Sequence, residues 1–311
     1  RQTYFHRLHA GDPLIEIPEV VPECSSRTVL TTTLATGTSL EEAATAPPDA
    51  RRQHAETLWR FVFKGNLIGC MFNADPHPGN YLFQPGGRIA FLDFGCVQPI
   101  GGEHLQQSRA AHKAALRGDE AAFTAAIVRV LGTRGGAYEH AMLTYLRRCF
   151  EPLFGSPYQI TVPYVKGLVE AIVEMKRLLL KKDSGFVPPQ EGLVFMNRLQ
   201  FGFYSVLARL DVEADYAEPF LGLLKEDDLD FAQRIGRHGQ AVLPEDRAHK
   251  APRLAGFRKM RRQRQRTIQP RHGLTHHRKG VHVLLLVVDD VASNLVATKA
   301  PQLQQGLRVM R

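Results

Sequence analysis

The sequence predicts an α+β fold in which a few short strands come first and a long helical half follows. Residues 14–18 and 27–34 are rich in β-branched and apolar side chains and are separated by prolines and serines, so each predicts a strand. Residues 81–83 and 88–92 have a similar strand-like composition. After residue 102 apolar residues recur at helical spacing almost without interruption, which predicts the helical half.

The helices follow from start signals, apolar spacing and breaks. The S-L-E-E string at residues 39–42 predicts a helix start, and Pro47-Pro48 breaks the chain behind it. A largely apolar helix is then predicted at residues 49–72. Further helices are predicted at residues 103–116, 120–131, 138–150, 165–182, 191–210 and, as a short acidic stretch, 211–231, with joints at 118–119, 132–136 and 188–189.

The composition is that of an ordinary globular protein. A chain of 311 residues can hold one large domain or two small ones, and its hydrophobic fraction of 44% is average. Four cysteines are widely spaced without a C-x-x-C pair, which predicts reduced thiols in a cytoplasmic setting and neither a disulfide framework nor a zinc site. No charged-then-apolar leader follows Arg1, so no targeting peptide is predicted, and the chain is expected to be a piece of a longer product.

The net charge of +9 arises in the C-terminal part of the chain. Residues 1–246 hold 25 Lys and Arg against 29 Asp and Glu, whereas residues 247–311 hold 15 against 2. The basicity therefore says nothing about the body of the protein, and no nucleic-acid partner is expected.

The same asymmetry divides the chain into a domain at residues 1–236, a basic linker at 237–280 and a tail at 281–311. The charge run at residues 253–271 is either solvated or attracts anionic lipid in a peripheral membrane contact. The apolar run at residues 281–288 is too short to span a bilayer, so no transmembrane segment is predicted.

Two motifs in the first hundred residues predict the chemistry. The string A-D-P-H-P-G-N at residues 74–80 places Asn80 five residues after Asp75, and L-D-F-G at residues 92–95 places Asp93 thirteen residues after Asn80. Phosphoryl transfer of the kinase type needs one carboxylate beside the attacking oxygen, and an amide plus a second carboxylate on Mg²⁺. Asp75 would orient the attacking oxygen or accept its proton, while Asn80 and Asp93 would hold Mg²⁺ and, through it, ATP.

Each of these residues also has an ordinary structural interpretation. The proline-rich segment could be a surface turn and Asp93 a strand cap, but the combined spacing favours a site. His77, between two prolines, is expected to shape the loop by hydrogen bonding, with a direct chemical role as the alternative. Cys96 is expected to be a small buried hydrophobe rather than a pocket-lining thiol, Asp119 a helix N-cap, and Trp59 part of the core.

Residues 12–231 resemble the ABC1/UbiB (AarF) family of atypical protein-kinase-like proteins. The strings at residues 74–80 and 92–95 carry the resemblance, supported by A-A-L-R-G-D at 114–119 and N-R-L-Q-F-G at 197–202. The resemblance implies a protein-kinase-like fold, here mostly the helical C-terminal lobe with a few residual strands of the N-terminal lobe. It also implies Mg²⁺-dependent ATP binding with kinase or ATPase activity, and lipid-pathway partners in ubiquinone or isoprenoid-lipid metabolism at membranes.

The sequence also departs from the family. Under the resemblance residues 27–37 form the last N-lobe strand and the hinge over the adenine, where Thr33 replaces the acidic residue common in the family. Asn73 stands where typical protein kinases carry the His of H-R-D. The first lysine is Lys64, behind the hinge, so the phosphate-binding lysine, the K-x-G-Q segment and the alanine-rich nucleotide loop are all missing. We therefore expect residues 1–311 alone to bind ATP weakly and to turn over little or none.

Two other classes of protein remain open. A pseudokinase or scaffold would explain the missing lysine, and a small-molecule phosphotransferase of the aminoglycoside or choline kinase type has a similar loop, although that class carries a His at the position of Asn73. Residues 281–311 resemble the first strand, acidic pair and first helix of a response-regulator receiver domain, with an adventitious tail as the alternative. The physiological acceptor cannot be read from the sequence because acceptor surfaces vary among kinase-like proteins.

Overall fold

The structure, a computed structural model, describes residues 1–179 and 193–223 and confirms a mostly helical α+β fold. The helices within these residues are α1 (Gln2–Leu8), α2 (Leu40–Ala43), α3 (Pro48–Leu67), α4 (Gly102–Leu116), α5 (Glu120–Leu131), α6 (Ala137–Cys149), α7 (Glu151–Phe154), α8 (Val162–Leu179), α9 (Leu193–Leu210) and α10 (Glu218–Leu223). The strands are β1 (Ile15–Glu16), β2 (Met71–Asn73), β3 (Tyr81–Phe83), β4 (Ile89–Phe91), β5 (Val97–Pro99), β6 (Tyr158–Gln159) and β7 (Glu213–Ala214).

The strands form three small sheets. In the largest, β4 lies in the centre, parallel to β1 and antiparallel to β3. Strands β2 and β5 form an antiparallel pair, and so do β6 and β7. Because β2, β3 and β4 end within a short stretch of chain, these sheets set the positions of the loops that carry the two sequence motifs.

Most helices match the predicted ones closely, with two exceptions. The acidic stretch predicted as helical at residues 211–231 begins instead with strand β7, and within the described residues only α10 is helical there. Ser39 begins α2 with a capping box, in which its hydroxyl accepts the Glu42 N–H and the Glu42 carboxylate accepts the Ser39 N–H. Asp119 caps α5 through the Ala122 N–H, as predicted. The helix predicted at residues 49–72 ends at Leu67 instead, because Cys70 takes a left-handed backbone conformation (φ 53°) and the chain enters strand β2.

The strand predicted at residues 27–34 is wrong. Only an isolated bridge between Val20 and Thr32 remains there. The apolar side chains of this segment do not pack against the core, since Val29 is 55% exposed, Leu30 65% and Leu34 89%. Strand propensity reflects packing on a half-buried sheet, so composition without that packing does not produce a strand.

The core lies where α3 meets the helical half. Trp59 on α3 is 1% exposed, as predicted, and its ring lies 5.8 Å from Phe203, 4.4 Å from Tyr216 and 6.2 Å from Phe220. Aromatic side chains at such distances contribute packing beyond the area that they bury. Helix α3 is therefore a fixed support immediately before the first motif.

Several predictions concern residues outside the described ones. These are the joint at Pro188-Pro189, the end of the acidic stretch at residues 224–231, the domain limit at residue 236, the basic linker at 237–280 and the tail at 281–311. Among the helices of the described ranges, none has the length and apolar character needed to cross a bilayer.

Candidate active site

Pairing between β2 and β5 brings the two motifs together. Asn73 at the end of β2 lies opposite Val97 at the start of β5. Just beyond this pair the Ala74 N–H donates to the Cys96 carbonyl at 2.7 Å. The 74–80 loop, which leaves β2, therefore lies beside the 92–96 turn, which enters β5.

Pairing between β3 and β4 brings Asn80 to the same place. Tyr81, the first residue of β3, lies opposite Phe91, the last residue of β4. The ladder continues by one bond, since the Leu92 N–H donates to the Asn80 carbonyl at 2.8 Å. Asn80 thus adjoins the residue before Asp93.

The side chain of Asn73 connects the loop to the turn. Its amide nitrogen donates to the Asp93 carbonyl at 2.8 Å, and its amide oxygen accepts the Asp75 N–H at 3.1 Å. The sequence singled out Asn73 only as a departure from H-R-D. The structure gives it a definite task, which is to fix the backbones of both acidic residues relative to each other.

Asp75 and Asn80 are in direct contact. The Asn80 amide nitrogen lies 3.3 Å from the Asp75 carbonyl and 3.4 Å from its Oδ2. This arrangement engages the amide nitrogen and leaves the amide oxygen as the atom suited to a metal ion. Burial raises the pKa of the Tyr81 phenol above its usual value, and the charge of Asp75 raises it further.

Asp93 has an unusual backbone. Its φ of 54° is left-handed, a conformation that costs a non-glycine residue on the order of 1 kcal/mol. Its Oδ1 accepts the Gly95 N–H at 2.9 Å, and a Cβ on Gly95 would lie 2.9 Å from that same oxygen, so a side chain at residue 95 would displace the Asp93 carboxylate. The side chain of Asp93 remains exposed.

Phe94 anchors the turn. It is 5% exposed, and its ring lies 4.8 Å from Phe5 on α1 and 6.5 Å from Phe61 on α3. The Arg1 guanidinium donates to the Gly95 carbonyl at 3.0 Å. Contacts with Arg1, α1 and α3 therefore hold the backbone that follows Asp93.

His77 and Cys96 have local structural contacts. The exposed His77 accepts the Gly79 N–H on its Nδ1 at 3.0 Å, which is the loop-shaping hydrogen bond expected from the sequence. Cys96 is half-buried against the apolar core and contributes its carbonyl to the bond with Ala74.

Thr33 does not join this cluster. It is exposed, and it pairs with Glu19 through the Glu19 N–H to Thr33 Oγ1 bond (2.9 Å) and the Thr33 N–H to Glu19 carbonyl bond (2.8 Å). Within the described residues, the hydrogen bonds that connect Asp75, Asn80 and Asp93 do not include Thr33. Its contact with a nucleotide stays a prediction.

The donor set fits a magnesium ion that also binds phosphate. No three or more His, Cys, Asp and Glu side chains gather into a metal site within residues 1–179 and 193–223. Asn80 and Asp93 offer one amide oxygen and one carboxylate, which are the hard oxygen donors that Mg²⁺ prefers. Since Mg²⁺ keeps near-octahedral coordination, waters and phosphate oxygens would complete the shell, as in kinase sites.

Comparison with known proteins gives a family match over the part of the chain that carries the two motifs. The family model described as "ABC1 atypical kinase-like domain" matches residues 2–127, a range that contains Asp75, Asn80 and Asp93. The chain is 34% identical over 95 residues to the Arabidopsis thaliana protein "ACTIVITY OF BC1 COMPLEX KINASE 3, chloroplastic", covering 30% of this chain and 13% of that protein. It is 30% identical over 116 residues to "Atypical kinase COQ8B, mitochondrial" of Rattus norvegicus, covering 37% of this chain and 22% of the relative.

The chain thus spans less than a quarter of the length of these relatives. A solved structure, that of the Rv3197–erythromycin complex from Mycobacterium tuberculosis, covers 70% of this chain and 54% of its own, with a TM-score of 0.53 and 18% identity. At that identity the likeness concerns the fold alone, and it confirms the kinase-like architecture. Over residues 2–127 this chain is therefore similar to the ABC1 atypical kinase-like domain.

Proposed function

We propose that the described part of this chain is the catalytic-loop and metal-binding half of an ABC1-type atypical kinase or ATPase that uses ATP and Mg²⁺. The observation that carries the proposal is the bridge made by Asn73, together with the contact between Asp75 and Asn80. These bonds gather one carboxylate, one amide and the backbone of a second acidic residue at the ends of β2, β3 and β4. A kinase-type site needs that combination.

Each residue has a role in the proposal. Asp75 orients the attacking oxygen, from water or from an acceptor hydroxyl, and accepts its proton. Asn80 and Asp93 hold Mg²⁺, which neutralises the charge that develops on the transferred phosphoryl group. By family resemblance alone, the acceptor is proposed to belong to ubiquinone or isoprenoid-lipid metabolism. On the same basis the protein is proposed to be cytoplasmic and to contact a membrane peripherally.

We expect the chain as given to bind nucleotide weakly. No lysine precedes Lys64, so no residue in the first part of the chain can play the part of the lysine that contacts the α- and β-phosphates in kinases. Isothermal titration of the 311-residue chain with Mg-ATP should therefore give a dissociation constant well above the micromolar range. Low-micromolar binding would contradict this expectation.

Weak binding calls for a test that works at millimolar ligand. In amide NMR spectra, Mn²⁺ added with ATP should broaden the signals of Asn80, Phe94 and Gly95, because a paramagnetic ion relaxes nearby nuclei. Asp93→Asn is the matched variant, since asparagine tolerates a left-handed backbone and can still accept the Gly95 N–H, yet lacks the charge. Broadening should be lost in Asp93→Asn and kept in Asp119→Asn, which alters a helix cap on α5.

Broadening that spares these three amides in the unmodified chain, or that persists unchanged in Asp93→Asn, refutes the metal site. Phosphate release at millimolar Mg-ATP then separates the enzyme from its main alternative. The missing lysine favours a pseudokinase or scaffold as the second candidate. Metal-nucleotide binding at Asp93 without any turnover that depends on Asp75, tested by Asp75→Asn, would select that second candidate.

A further inference from the structure

The 74–80 loop packs against Gly202, a residue far away in the sequence. Gly202 on α9 faces the buried Pro76, so closely that a Cβ on Gly202 would overlap Pro76 Cγ and lie 3.3 Å from its Cβ and 3.5 Å from its Cδ. The proline ring is closed onto the backbone and cannot swing aside as a long side chain would. Any side chain at position 202 must therefore move either the helix or the loop.

Helix α9 is fixed on both sides of Gly202. Phe201, Phe203 and Tyr204 are each 4% exposed or less. The Tyr204 hydroxyl donates to the Cys149 carbonyl at 2.7 Å, and the Phe203 ring packs on Trp59. Close-packed interiors do not yield easily, so the loop is the part that would move.

The loop has little tolerance for such a movement. Asp75 immediately precedes Pro76, and its two contacts with the Asn80 amide, at 3.3 and 3.4 Å, are already long for hydrogen bonds. Relieving an overlap of carbon atoms requires a shift on the order of 1 Å, which would break both contacts. One turn earlier on α9, Leu199 lines a small cleft together with Asn73 and Phe72, so the same helix also supports the start of the loop.

We propose that Gly202 is a positioning residue for Asp75: the absence of its side chain lets the loop settle onto α9 at the depth where Asp75 meets Asn80. Helix α9 thereby acts as the floor of the candidate active site. The catalytic meaning of this inference rests on the proposed function, whereas the contact itself can be tested without it.

Gly202→Ala in the full chain is the test. Its matched control is Gly167→Ala in α8, also a helical glycine, whose added methyl would meet only the movable guanidinium of Arg148. We expect Gly202→Ala to shift the amide NMR signals of Asp75, Gly79 and Asn80 and to speed their hydrogen exchange at least tenfold, while Gly167→Ala leaves them unchanged. Any Asp75-dependent phosphate release should fall by about 100-fold, as expected for a displacement of about 1 Å.

A second variant guards against simple loss of folding. Gly202→Ala combined with Pro76→Ala removes Pro76 Cγ and should return the Asn80 signals and exchange rate toward those of Pro76→Ala alone. Non-additivity of this sign is specific to the contact and would not arise from general destabilisation. The inference is overturned if Gly202→Ala matches Gly167→Ala, or if the double variant is no better than Gly202→Ala.

The outcomes also separate this inference from the proposed function. If the chain shows the loop shift and its rescue but neither binds Mn-ATP nor turns it over, the Gly202 contact is supported and the proposed function is refuted. If the chain binds Mn-ATP through Asp93 but tolerates Gly202→Ala, the metal site is supported and the inference about Gly202 is refuted.

Discussion

Replacing Asn73 with alanine should destabilise the candidate site more than truncating an exposed side chain of similar size elsewhere on the protein. The change removes the bond to the Asp93 carbonyl at 2.8 Å and the bond from the Asp75 N–H at 3.1 Å. Each such hydrogen bond contributes about 0.5–1.5 kcal/mol, so the free energy of unfolding should fall by about 2 kcal/mol. Because Asn73 is half-buried rather than fully buried, water can replace part of each bond, and larger losses are not expected.

Urea unfolding of the full chain measures this loss, with Gln106→Ala as the control because Gln106 is an exposed amide on α4. Hydrogen exchange adds a local measurement. The Asp75 N–H loses its acceptor and should exchange about tenfold faster, whereas the Leu92 N–H keeps its bond to the Asn80 carbonyl and should not change. A loss of less than 0.5 kcal/mol with unchanged exchange at Asp75 would show that Asn73 does not connect the two motifs.

Two further predictions concern stability. Burial lowers the pKa of His9 to about 3, helped by the charge of Lys64, and the pKa of His112 to about 4. Both histidines bind a proton more readily in the unfolded chain, so the free energy of unfolding should fall as the pH drops below about 6.5. Urea titrations at pH 5 should show a decrease of about 2 kcal/mol per histidine, and the decrease should level off near the folded pKa values. His112→Phe, in an aromatic environment, should remove about half of this acid sensitivity, and unchanged sensitivity would contradict the assignment. Separately, Arg109 donates through Nε and Nη2 to the Leu67 carbonyl at the end of α3, so Arg109→Met should cost about 1–3 kcal/mol in thermal or urea unfolding. Arg129→Met, which loses only an exposed bond to Gln107, should change stability by less than about 0.5 kcal/mol, and equal effects of the two would disprove the role of Arg109.

Much of the helical half follows directly from the sequence. Apolar spacing locates helices whose buried side chains must recur every three or four residues, and the Asp119 cap is a local hydrogen bond. Strands were harder to predict. Residues 15–16 pair with β4, which is remote in sequence, whereas residues 27–34 find no comparable partner within the described chain and stay largely exposed.

The candidate site also combines features that local sequence predicts with features that depend on contacts between remote residues. The sequence by itself was enough to predict the candidate residues Asp75, Asn80 and Asp93, because their spacing is set by short strands and turns that form from nearby residues. Tertiary structure alone decided that Thr33 lies outside the hydrogen-bonded cluster, that Asn73 connects the two motifs, and that Gly202 supports Pro76. Contacts between residues so far apart depend on how helices and sheets pack, and packing leaves no periodic signal in a single sequence.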